Sequence, residues 1–155
     1  MTLVSNFLRA AFLGLALTIL APQAMFAGDI EIVQPYARTS GAHAKSGAIY
    51  FLVLNHGTTA DRLLSVKTDV AKKAMLHTNI EDENGVMKMR ALPDGVEIPA
   101  SGAYRLRRGG DHVMLMGIAN PLADGDTLKT TLVFENAGEI KISVPVDQAR
   151  KPASD

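Results

Sequence analysis

The chain has 155 residues, 47% hydrophobic and 21% charged, with 16 Lys and Arg set against 16 Asp and Glu. That length suits a single globular domain, and the even charge balance excludes the cationic excess of a nucleic-acid binder. The absence of cysteine excludes disulfide frameworks, thiolate metal sites, blue-copper centres and Cys nucleophiles, and the absence of Trp with only 5% aromatic residues argues against base-stacking platforms.

Residues 1–27 read as an export signal. Arg9 is the only charge, residues 10–20 form an apolar run, and Ala24-Met25-Phe26-Ala27 supplies small residues for cleavage. The run is short for a bilayer span, which favours a cleaved signal over an anchor and predicts an exported protein. The folded domain is expected over residues 28–147, with 148–155 as a flexible tail.

The mature part reads as β throughout. Residues 30–33 alternate and then meet Pro35, and 48–54 is a short apolar run that the Asn55-His56-Gly57 turn closes. Residues 63–66 form a further strand candidate, whereas 69–73 are too short to stand as a helix. Runs at 73–80, 86–92 and 103–107 follow. They are separated by Asp82-Glu83-Asn84-Gly85, Pro93-Asp94-Gly95 and the Pro99 to Gly102 punctuation. Strands at 112–118, 127–134 and 139–146 complete the chain, the last two joined by Glu135-Asn136-Ala137-Gly138. Seven to nine short strands with regular turn signals predict an antiparallel sandwich or barrel in one domain.

Beyond the signal, the methionines are Met75, Met87, Met89, Met114 and Met116, and His77 and His112 lie in the same window. Met75 and His77 are two apart, as are Met87 and Met89, and as are His112, Met114 and Met116. Residues two apart in a strand point to one face, so three strands can each present thioether or imidazole groups to one side. Thioether sulfur is soft and selects Cu(I), and imidazole also suits copper. The hairpin between the first two runs has three settings. A five-residue loop, 81–85, puts Met89 opposite His77. A three-residue loop, 83–85, keeps the face but puts Met89 opposite Asn79, and a four-residue loop breaks the site. Taken one at a time, Met75, Met87 and Met116 are expected to fill the core, and His43 and His56 to be exposed loop residues.

Several segments together resemble the periplasmic Cu(A) copper chaperone family, the PCuAC type. They are Ala74-Met75-Leu76-His77, Gly85-Val86-Met87-Lys88-Met89-Arg90, Ile98-Pro99-Ala100-Ser101-Gly102 and Gly109-Gly110-Asp111-His112-Val113-Met114-Leu115-Met116-Gly117. Upstream, Tyr36-Ala37-Arg38, Gly47-Ala48-Ile49-Tyr50-Phe51, Asn55 and Asp61-Arg62-Leu63 also fit. The resemblance implies Cu(I) ligands at His77, Met89, His112 and Met114 in a cupredoxin-like Greek-key β-sandwich. The spacing departs from the family's by one residue in each interval: eleven residues lie between His77 and Met89, and twenty-two between Met89 and His112. Met87 is therefore a competitor for the second position, and Met89 is preferred because it directly precedes Arg90. The family's frequent His- and Met-rich C-terminal extension is missing, so a second site, including one for Cu(II), is not expected.

The function so implied is a non-enzymatic, exported carrier that supplies copper to the subunit of cytochrome c oxidase bearing the Cu(A) centre, sometimes with a Sco-type thiol copper protein. Nucleic acid and stable membrane insertion are not expected. Storage or resistance is the nearest alternative, and a metal-free sandwich module with a Met-rich contact patch is another. A hydrolase built on Asp111 and His112 is disfavoured, because strand neighbours face opposite ways.

Overall fold

The computed structural model describes residues 25–41 and 43–151. The export signal expected over 1–27 lies outside the described residues up to Ala24. Eleven strands and no helix occur among the described residues: β1 (Met25–Ala27), β2 (Ile30–Thr39), β3 (Ser46–Asn55), β4 (Asp61–Thr68), β5 (Ala71–Glu81), β6 (Met87–Ala91), β7 (Val96–Ile98), β8 (Gly102–Leu106), β9 (His112–Ile118), β10 (Thr127–Phe134) and β11 (Glu139–Pro145). The all-β sandwich expected from the sequence is therefore the observed fold. The number of strands exceeds seven to nine because two three-residue strands, β1 and β7, carry too little alternation to register.

The first sheet has seven strands in the order β1-β2-β3-β9-β5-β6, with β8 also on β3; the second has four, in the order β11-β10-β4-β7. The long β3 is shared along its length. Its first half pairs with β9 (Ser46↔Met116 to Ile49↔Val113) and its second half with β8 (Phe51↔Leu106 to Asn55↔Gly102). The chain crosses between the sheets at β3–β4, β4–β5, β6–β7, β7–β8 and β9–β10, so sequence neighbours repeatedly end on opposite layers. Ladders are antiparallel throughout, and a parallel bridge from Ala37 to Val146 ties the end of the chain back to β2.

Strict alternation builds the interior. Along β11, Ile140, Ile142 and Val144 are buried while Glu139, Lys141 and Ser143 are exposed. From the facing sheet, Ile49, Val53, Val113 and Leu115 are fully buried against Leu63, Leu132 and Ile98. Full burial of a side chain of this size is worth about 1.5–3 kcal/mol, so this layer carries most of the stability of a protein without disulfides.

Two local devices bend the chain where alternation alone would not. Strand β2 runs through Pro35 because the ladder slips between Val33 and Tyr36, with Gln34 at φ 51°; a bulge accommodates the missing proline N–H. Gly95 (φ +73°) sits where an added Cβ would lie 2.1 Å from the carbonyl oxygen of Leu63, so only glycine allows β7 to turn onto β4. Within the segment expected to be a flexible tail, Gln148 exchanges hydrogen bonds with Thr39. The Arg150 guanidinium lies 4.7 Å over the ring of Tyr36.

Candidate metal centre

The site is built on the outward face of the seven-stranded sheet by β3, β9, β5 and β6. Register places the donors. His77 stands directly opposite His112, and Met75 directly opposite Met114. On the other side of β9, Met114 opposes Ala48. Residues opposed in this way share a face, and their Cβ atoms lie about 4.5–5.5 Å apart.

The β5–β6 hairpin settles between the three loop settings. Glu81 pairs with Met87 and Asn79 with Met89, while the Asp82 N–H donates to the Val86 carbonyl, leaving 83–85 as the loop. This is the three-residue setting, so Met89 lies opposite Asn79 rather than His77. Gly85 at φ +76° supplies the left-handed residue that such a loop needs. One Asp82 carboxylate oxygen accepts from the N–H groups of Asn84 and Val86, and the other pairs with Lys88 at 2.8 Å. These contacts, Lys88 first, hold the Asp82 carboxyl below the usual carboxylate range. Met87 faces Glu81, four pairs along the ladder from the His77–Ala91 pair, whereas Met89 is two pairs away; the register favours Met89 over Met87.

Met75, Met87 and Met116, expected as core residues, are not in the core. All five methionines take the face opposite to Ala74, Leu76, Val113 and Leu115, because parity along β5 and β9 gives those residues the inward positions. Met75, Met87 and Met89 are among the exposed large hydrophobic residues, at 39%, 56% and 51%. His43 is exposed in its turn, and His56 is exposed and bonded to Glu31 at 2.8 Å.

His112 is 4% exposed although it is on the outer face. It is covered by the ring of His77 at 6.2 Å, stacked at 24°, and by that of Tyr50 at 6.3 Å. A ligating imidazole nitrogen sits about 2 Å from its ion and its ring centre about 1 Å further, so this separation is near the widest that two rings on one ion span. Both rings are oriented by backbone. The Nδ1–H of His112 donates to the Gly110 carbonyl at 2.9 Å, and that of His77 to the Met75 carbonyl at 3.3 Å. A carbonyl can only accept, so each ring leaves Nε2 as the free donor to a metal.

His112, Met114 and Met89 line one shallow groove of about 360 Å3 with Tyr50, Arg38 and Arg108, and Asn79 is its wall from β5; His77 lies outside this lining and meets the site through its ring contact with His112. Burial first, and then the Tyr36 ring beside it, raise the Tyr50 hydroxyl above the ordinary phenol range despite the two arginines. Tyr50 is thus a neutral wall. The loop before His112 is anchored by the Tyr104 hydroxyl, which donates to the Asp111 carboxylate, and by the Arg107 N–H donating to the Asp111 carbonyl. Burial and then Asp111 push the Tyr104 phenol well above its usual range.

Tyr50, Arg38, Arg108 and Tyr104 had no assigned role in the sequence. Tyr50 shares the face of Ala48 on β3, and Arg38 stands opposite Ala48 on β2, but only the pairing of β3 with β9 brings them beside His112. No group of three or more His, Asp or Glu comes together among the described residues as a metal site. The convergent donors are imidazoles and thioethers, a set that suits a soft ion of low charge rather than zinc, calcium or magnesium.

A family model described as "Putative lipoprotein LpqE-like" matches residues 30–146. The putative lipoprotein Lxx21020 of Leifsonia xyli subsp. xyli (strain CTCB07) is 28% identical over 120 residues, which cover 77% of this chain and 70% of that protein. Among solved structures, the copper-bound PCuAC domain from PmoF2 superposes with a TM-score of 0.68 at 27% identity, covering 82% of this chain and 99% of the domain. CuI-DR1885 from Deinococcus radiodurans superposes at 0.62, also 27% identical, covering 83% of each chain. The two-sheet architecture is accordingly the cupredoxin-like β-sandwich of PCuAC domains. The family match spans both sheets and every donor from His77 to Met114, and the chain belongs to the LpqE-like family, a family of PCuAC type.

Proposed function

We propose that the protein is an exported Cu(I) metallochaperone of the cell envelope that carries one ion on His77, Met89, His112 and Met114. The observation that carries this reading is the β5–β9 register, which sets His77 against His112 with Met114 two residues on, all outward and backed by ordered rings. The copper-bound PCuAC domain and CuI-DR1885 support the choice of ion, and the lipoprotein character of the family supports export. The reading of residues 1–27 as an export signal supports a periplasmic carrier.

The chemistry is ligand exchange. Thioethers bind without losing a proton and bind more weakly than thiolates, so Cu(I) on this set passes downhill to a Cys-containing acceptor. Imidazole must be unprotonated to bind, so retention weakens in acid. Arg38 and Arg108 line the groove and favour the approach of a thiolate or an acidic partner. The acceptor we assign is the Cu(A)-bearing subunit of cytochrome c oxidase, directly or through a Sco-type thiol protein.

The test is an anaerobic Cu(I) competition titration against a chromophoric chelator. The parent should take up one equivalent, and His77→Ala and Met114→Leu should each weaken it by about a hundredfold, or nearly 3 kcal/mol. Uptake indifferent to both substitutions would remove the metal site and leave a Met-rich protein-contact face. Transfer of the ion from the loaded protein to the apo Cu(A) domain then separates delivery from storage.

A further inference from the structure

We propose that Met75 is a fifth donor of the site, one that exchanges with Met89 for the same ion; this rests on the Cu(I) reading above. Of the three methionines outside the implied ligand set, register distinguishes only this one. Met116 stands opposite Lys73 and Met87 opposite Glu81, so neither faces a donor. Met75 stands opposite Met114 and two residues from His77 on the same strand, which makes Met75, His77, His112 and Met114 the corners of one quadrilateral on two adjacent strands.

The distances that follow from sheet geometry decide the comparison with Met89. Met75 lies one strand spacing from Met114, and its diagonal to His112 is about 7–8 Å. Met89 lies opposite Asn79, diagonal to His77, and two strand spacings from β9, about 9.5 Å across the sheet. At the backbone, Met75 is therefore closer to the common centre than Met89. Met89 compensates by leaning into the groove that His112 and Met114 line, which Met75 does not enter. The two sulfurs approach the same ion from opposite sides of His77.

Met75 is 39% exposed, so it does not fill the core, and its thioether is within reach of an incoming ion. Its carbonyl already orients His77. That contact is backbone and survives a change of side chain, so Met75→Leu removes the sulfur alone, at nearly constant volume. Five donors for a four-coordinate soft ion give the carrier an associative route. One thioether can leave toward the acceptor side while the other holds the ion, and no bond other than metal–sulfur is made or broken.

The experiment is a Cu(I) competition titration of the parent, Met75→Leu, Met89→Leu, the double variant and His77→Ala, with sulfur coordination counted by X-ray absorption. Each single Met variant should lose less than about tenfold in affinity and keep the parent's sulfur count, because the other thioether takes the vacated position. The double variant should lose more than about a hundredfold and one sulfur. If Met75→Leu changes nothing in either the parent or the Met89→Leu background while His77→Ala abolishes binding, Met75 is not a donor and the four-ligand site stands. Binding unaffected by His77→Ala would instead overturn the metal site itself, and this inference with it.

Discussion

The outer faces of the two sheets differ in kind. On the four-stranded sheet, β10, β11 and β4 turn lysines, threonines and a glutamate to water, and Lys67 pairs with Glu139 at 2.6 Å. A groove of about 530 Å3 crosses this face, lined by Lys67, Lys129 and Lys141, with no imidazole or thioether in it. On the seven-stranded sheet the corresponding positions hold His77, His112 and five methionines above a smaller groove. Both faces use the same alternation, so the difference lies in what the outward positions carry. A face that spends exposed positions on apolar sulfur gains nothing in stability from doing so. Its composition therefore reports function, whereas the other face reports solubility, and the larger groove is the less informative one.

The comparison implies that stability and metal affinity separate cleanly. Leu132→Ala removes a fully buried side chain between the sheets and should cost about 3 kcal/mol by denaturant unfolding, with Cu(I) affinity unchanged in the folded fraction. Met114→Leu should do the reverse, shifting stability by less than about 0.5 kcal/mol while weakening Cu(I). A variant that moved both quantities together would show that the ligand face is also a structural element.

Asp61 should give an intermediate effect on the metal-free sheet. It is 6% exposed, and its carboxylate accepts from the N–H groups of Arg62, Asn136 and Ala137 at 2.7–2.9 Å, clamping the β10–β11 turn onto β4. Asp61→Ala should cost about 2–3 kcal/mol and leave copper binding alone.

The smallest effect belongs to the hairpin that carries Met89. The folded-state pKa of Asp82 lies below its unfolded value. Its contribution is therefore fully present above the unfolded carboxylate range and is lost as pH falls through the lowered folded value. Amide exchange in the 82–88 turn should rise in that acid window before the rest of the sheet responds. Asp82→Asn should move the same exchange to neutral pH, and an unchanged profile would show that Gly85 alone holds the loop.

Most of the architecture was legible because it is written in local alternation. The runs at 48–54, 112–118, 127–134 and 139–146 became β3, β9, β10 and β11 with boundaries close to those expected. The misses are residues whose fate depends on distant partners. β7 is three residues between two turns, and its identity as a strand comes from pairing with β4. Gln148 and Arg150 read as tail because nothing local shows that Thr39 and Tyr36 await them.

The donor set divides along the same line. Sequence alone determined which residues carry soft and borderline donors, that they recur at a spacing of two, and that no thiolate competes with them, since side-chain chemistry and strand parity are properties of the chain. The tertiary structure decided that β9 lies between β3 and β5, that His77 faces His112, that the hairpin takes its three-residue loop with Met89 opposite Asn79, and that Met75 stands against Met114. For the pairings of β9 with β5 and β3 the physical reason is that register between strands thirty or more residues apart is set by how both sheets bury their inward faces together. No local segment contains that information.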